Sequence, residues 1–426
     1  MQDSEMDRRQ YRRKRRIRNQ VLAYLLLIIL FILVVIPLFM ALKKFSGYIK
    51  DNAERYPEVV SSNSSNESAS ENDGLPDTIS SPETVSEDIA ALQESLSEDD
   101  AVEEEPVDED IRALIDSLSV EEKTAALFMV SPEALTGVDA ATKAGDGTKS
   151  ALEKYAVSGI LYDEKNVLNK DQFKEMSLKT DEMYKELYSS DAPLRYLIRG
   201  IEDGDGLDAL LKASGKDKSK SYKDLGGAEA ADTYQDFLSR GSVLNEYDLD
   251  LLSAPSCEIS DDGFSSDAET AAAFVASAVS GLSDQGVMSM LSVYPEEGDA
   301  EGAVFKAGAD KGAAFVFTGA GKVLNEAGEE EPAYISEQAV NTLKDGLGFK
   351  GVVITDDINK LSEESGISVG EAALRAVNAG ADMIYVSGDL ESVYTSMLAA
   401  VKDGAVTGER LDDCLVRIFT MKKKYM

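Results

Sequence analysis

The residues Phe349-Lys350-Gly351-Val352-Val353-Ile354-Thr355-Asp356-Asp357 lead an apolar β-branched run directly into two carboxylates. Such a run reads as a buried parallel strand, and an acid at its C-terminal end stands at the mouth where α/β barrels carry out chemistry. An aspartate facing a polar mouth stays ionised and can attack an electrophilic carbon. Either acid can instead cap the following helix, as aspartate often does, and Asp357 reads better in that role. None of the 426 residues is histidine, so no step can pass a proton through imidazole.

The elements that must position Asp356 follow a βαβ rhythm. Strands are expected at Gly159–Tyr162, Leu194–Ile198, Leu249–Ser253, Val287–Ser292, Ala314–Thr318, Val352–Thr355 and Met383–Val386. Helical patterns run between them over Asp267–Leu282, Ser336–Gly346, Val369–Ala379 and Leu390–Lys402, with Gly346 and Gly380 at two C-termini as left-handed caps. Ahead of these, Ile111, Leu114, Ile115 and Leu118 share a helical face, and Ser119 with Glu122 forms a capping box for a second helix. Seven or eight such units suit an α/β fold of the (β/α)8 TIM-like barrel type over residues 109–426. A doubly wound open sheet is the alternative, although no GxGxxG opens any of these helices.

The rest of the chain differs in composition. Residues 1–20 are a basic segment expected in the cytoplasm, and Val21–Leu42 is a charge-free run of 22 residues, long enough for a transmembrane helix. The Lys/Arg excess before it predicts a single-pass cell-membrane protein with an extracytoplasmic C-terminal domain. Residues 43–108, rich in Ser, Asn, Asp and Glu, read as an acidic disordered linker. Net charge is +8 over residues 1–50 and −19 over 51–110, within a total of −36. That acidity excludes nucleic acid as a partner. Cys257 and Cys414 read as two buried small hydrophobes. Tyr155, Tyr162, Tyr184 and Tyr188 read as packing residues ahead of a sugar platform. Neither a cofactor nor a metal is expected, because Glu202-Asp203-Gly204-Asp205 lacks cation-loop spacing.

The segment GFKGVVITDDINKLSEESGISVGEAALRAVNAGADMIYVSGDLES resembles the end of the barrel domain of glycoside hydrolase family 3, in particular its bacterial β-N-acetylglucosaminidases. The likeness extends back through SLSVEEKTAALFMV, SGILYDEKNV and APLRYLIRGIEDGDG. The resemblance implies that Asp356 is the nucleophile of a retaining β-N-acetylhexosaminidase, actual or vestigial, and that Glu202 and Asp203 stand where substrate is bound. Glu258 is a further substrate-binding candidate.

The departures from the family are as informative. Where the family carries KHFPGHGDT this chain has Ser292-Val293-Tyr294-Pro295-Glu296-Glu297-Gly298-Asp299-Ala300, and the following Asp-Ser-His loop is gone. Where the family carries D-Q-E-G-G-R, Leu207 replaces the arginine, removing a bidentate grip. Retaining glycosidases use two carboxylates about 5 Å apart, so Glu297 or Glu296 is the candidate replacement acid/base. The expectation is an impaired hydrolase acting as a module for cell-wall glycan or an envelope protein, with an active glycosidase as the alternative.

Overall fold

The apolar run before Asp356 is one stave of a closed ring. The computed structural model describes residues 107–189, 192–295, 301–325 and 327–425. The strands are β1 (Phe128–Val130), β2 (Gly159–Tyr162), β3 (Ile198–Glu202), β4 (Leu251–Ser253), β5 (Met288–Tyr294), β6 (Phe315–Thr318), β7 (Lys322–Leu324), β8 (Glu330–Pro332), β9 (Val352–Asp357) and β10 (Met383–Val386). Eight of them pair in parallel in the order β1-β10-β9-β6-β5-β4-β3-β2, while β7 and β8 form a separate antiparallel hairpin. The seam is the β1–β10 ladder, which pairs Phe128 with Ile384 and Val130 with Val386, so the open-sheet alternative is excluded. This is the (β/α)8 arrangement, and its core strands are buried on both faces.

Two strand assignments need correction. The run APLRYLI suggests a strand at Leu194–Ile198, but the ladder with β2 begins at Ile198 and runs to Ile201, and the strand ends at Glu202. Arg199 and Gly200 disguise it. The side chain of Arg199 is buried, with Nη1 3.3 Å from Ser177 Oγ and Nε 3.6 Å from Asp250. A Cβ on Gly200 would lie 2.8 Å from Leu251 Cδ2, so the strand needs glycine there. β1 was not expected, because TAALFMV continues a helical pattern; the helix after the Ser119–Glu122 capping box stops at Ala125.

The four helical stretches form with small shifts. The segment Ser336–Gly346 divides into Glu337–Asn341 and a wide turn, Thr342–Gly346. The left-handed glycine there is Gly348 (φ 69°) rather than Gly346, whereas Gly380 (φ 111°) does take up the left-handed region. Cys257 and Cys414 are both buried, and no disulfide joins them.

The helix Gly408–Tyr425 crosses the end of the barrel opposite the mouth. Arg410 donates to Ala381 O (2.7 Å) below β10, Lys422 to Tyr196 O (2.7 Å) below β3, and Tyr425 to Gly312 O (3.2 Å) below β6. The expected cytoplasmic segment, membrane helix and acidic linker, and the residues Glu296, Glu297 and Asp299, lie outside the described residues. Among the described residues no helix is long and apolar enough to cross a membrane.

Candidate active site

Asp356 lies half-buried near the C-terminal end of β9, and its Oδ1 accepts the Asp357 N–H at 2.7 Å. Its neighbour has a structural task. Asp357 caps Ile358–Ser365 through Asn359 N (3.2 Å) and accepts from Ser387 N (3.2 Å) and Ser387 Oγ (2.5 Å), tying β9 to the end of β10.

Register places Ile354 on the interior face of the barrel. Phe317 pairs with Ile354 across β6 and β9, and the Phe317 ring lies 6.2 Å from that of Tyr385 within the barrel. The β9–β10 register slips between Ile354 and Asp357, so strict alternation ends at Ile354, and Asp356 lies half-buried one residue from the end of the strand. Tyr385 spans the mouth: its N–H donates to Thr355 Oγ1 (3.2 Å), and its hydroxyl donates to Glu202 Oε1 (3.2 Å) at the end of β3. In the ring of eight, β3 stands four places from β9, directly across.

Burial pushes the Glu202 carboxyl above its ordinary range, and the negative charge of Asp163 adds to the effect. The Tyr385 hydroxyl, Lys360 and Lys165 pull the other way. Burial and the charges of Glu202 and Asp357 hold the Tyr385 phenol well above its usual range, so it stays a donor. Beside Glu202 opens a cleft of about 410 Å³ lined by Asp163, Glu164, Lys165, Glu202, Asp203, Asp205 and Gly206, a size in the range of small-molecule sites. Lys165 is held by Asp163 (2.9 Å) and by buried Glu133 (3.5 Å), whose Oε1 also accepts from Ala141 N and Asn166 Nδ2. These contacts order the loops after β1 and β2 around the cleft.

The other candidate residues are dispersed. Asp203 lines the cleft but is drawn into a buried pair, with Tyr222 Oη at 2.5 Å and Arg240 Nη1 at 3.3 Å. Glu258 is exposed on the loop after β4, where its carboxylate accepts from Ser260 Oγ at 2.7 Å. The four tyrosines lie in the helical layer: Tyr155, Tyr162 and Tyr184 are buried, and Tyr188 is covered by Arg195, 4.5 Å from its ring centre.

Sequence reasoning missed Asp163, Lys165 and Tyr385. Asp163 directly follows the recognised strand Gly159–Tyr162, and Tyr385 lies within the recognised Met383–Val386; position at a strand's C-terminal end was the usable signal.

Ser292, Val293 and Leu207, three positions where the sequence departs from the family it resembles, and Tyr294 beside them, are held in the framework. Ser292 Oγ accepts the Cys257 N–H at 3.0 Å. Val293 packs against Gly319, where an added Cβ would come within 2.2 Å of Val293 Cγ1. Tyr294 meets Phe305 edge-on at 5.0 Å, and Leu207 is wholly buried.

Comparison with known proteins agrees with this architecture. Residues 298–421, which include Asp356, match the sequence model described as the glycosyl hydrolase family 3 N terminal domain. A beta-N-acetylglucosaminidase/beta-glucosidase of Cellulomonas fimi is 34% identical over 92 residues, 21% of this chain and 16% of that enzyme. The beta-hexosaminidase LpqI of Mycobacterium bovis is 25% identical over 275 residues, 56% of this chain and 70% of that protein. The structure of a family 3 β-N-acetylglucosaminidase from Paenibacillus superposes with a TM-score of 0.60 at 23% identity, covering 72% of this chain and 63% of that one. This chain thus spans less than two-thirds of the Cellulomonas and Paenibacillus proteins.

Proposed function

We propose, from a barrel related to the N-terminal domain of family 3 glycosyl hydrolases, that this domain binds cell-envelope glycan outside the membrane and hydrolyses it only slowly. The observation that carries the reading is the reassignment of the sugar-gripping positions. Ser292 is spent on a backbone N–H, Val293 fills the space over Gly319, and Leu207 lies in the core, while Asp356 still stands at the mouth. Losing the imidazole removes the family's own proton donor, and losing the cationic contacts weakens transition-state binding. The cleft beside Glu202 remains open, with a lysine and several carboxylates able to bond sugar hydroxyls. Placement outside the membrane rests on Val21–Leu42 and the basic residues before it.

The reading is tested by sedimenting the full-length protein, in detergent, with purified peptidoglycan. It predicts co-sedimentation that soluble glycan fragments compete away. Retention in the supernatant would remove the glycan reading and make an envelope protein the better partner.

A further inference from the structure

Resting on that reading, we propose that Glu202 is the acid/base of the slow hydrolysis and takes the part of the imidazole this chain lacks. Three observations lead there. β3 and β9 stand four places apart in the ring of eight, so Glu202 and Asp356 end strands on opposite walls of the barrel. Glu202 lines the open cleft where a leaving group can be accommodated. Tyr385 holds one carboxyl oxygen, Oε1, at 3.2 Å, leaving Oε2 to carry the proton.

The charged groups around Glu202 support the assignment. Asp163 and Lys165 reach it from the loop after β2, Lys360 from the helix after β9, and Tyr385 from β10. Burial and Asp163 outweigh the two lysines and the tyrosine, so the carboxyl keeps its proton to a higher pH than an ordinary glutamate. A nucleophile and an acid must differ in this sense to work at one pH.

The steps balance as follows. An Asp356 oxygen attacks the anomeric carbon, the glycosidic C–O bond breaks, and the Glu202 proton goes to the departing oxygen. Glu202, now a carboxylate, then takes a proton from water as the water oxygen attacks the same carbon and releases Asp356.

The experiment compares two aryl N-acetyl-β-glucosaminides with full-length protein. A 2,4-dinitrophenyl group leaves as an anion without a proton, whereas a phenyl group needs one. Glu202→Gln keeps the volume and an acceptor for Tyr385. It is expected to lower kcat/KM on the phenyl substrate by roughly 10²–10⁴ and on the dinitrophenyl substrate by less than about tenfold, and to erase the descending limb of the pH profile. Tyr385→Phe removes a hydrogen bond that favours the carboxylate, so that limb moves to higher pH.

Equal loss on both substrates, an unchanged limb, or no wild-type turnover of either substrate would overturn the assignment while leaving glycan binding intact. Asp356→Asn should silence both substrates; if it does not, the family-based reading fails with it.

Discussion

Lys422 gives the sharpest test of the framework. Its side chain is 1% exposed, with Nζ donating to Tyr196 O at 2.7 Å and lying 5.4 Å and 5.7 Å from the ring centres of Tyr196 and Phe419. Burial first, and then the positive charge of Arg195, bring its ammonium down from 10.5 to about 7, with Asp250 only partly compensating. The unfolded chain therefore binds a proton at Lys422 that the folded chain has released once pH passes 7, and stability rises with pH until the unfolded lysine also titrates.

The slope is about 1.4 kcal/mol per pH unit, giving about 3 kcal/mol between about pH 7.5 and about 9.5, below the range where tyrosines ionise. Urea unfolding of wild type and Lys422→Met across that window should show the rise in wild type and its absence in the variant. Methionine fills a similar volume without a charge, so the difference between the two curves isolates this amine. Parallel curves would refute the claim that the amine is buried without a counter-ion.

Two other substitutions bear on the same reasoning. Asp382→Asn removes the buried carboxylate that lies 2.7 Å from Lys344 Nζ, and should cost about 3 kcal/mol or more in denaturant titrations. Leu207→Arg, which returns the family's arginine, should lower the urea midpoint strongly and restore no hydrolysis, because position 207 faces the core; a stable variant with raised turnover would show that the position still looks onto the site.

Much of the barrel was legible because its strands are buried on both faces and read as plain apolar runs: Gly159–Tyr162 and Met383–Val386 form just where the pattern ends and begins. β3 was misplaced because it carries Arg199 inside the helical layer, where Asp250 and Ser177 compensate the charge; a one-dimensional pattern cannot show that compensation. β1 was hidden because three residues after a good capping box look like one more helical turn.

At the site, the place of Asp356 near a strand's C-terminal end and the capping role of Asp357 followed from local sequence. The Tyr385–Glu202 contact joins residues 183 positions apart, and only ring closure brings them together. Glu202 was recognised as a residue near substrate, but its raised proton affinity depends on Asp163 and on depth, neither of which the local motif encodes.

The seam has a kinetic consequence. Ser131 and Ser387, which meet beside the β1–β10 ladder, are 256 positions apart. Uniting such distant segments surrenders chain entropy before the ladder returns any energy, and high contact order slows folding. Wherever that junction opens, β1 and β10 become raw edges able to pair with the edges of other molecules.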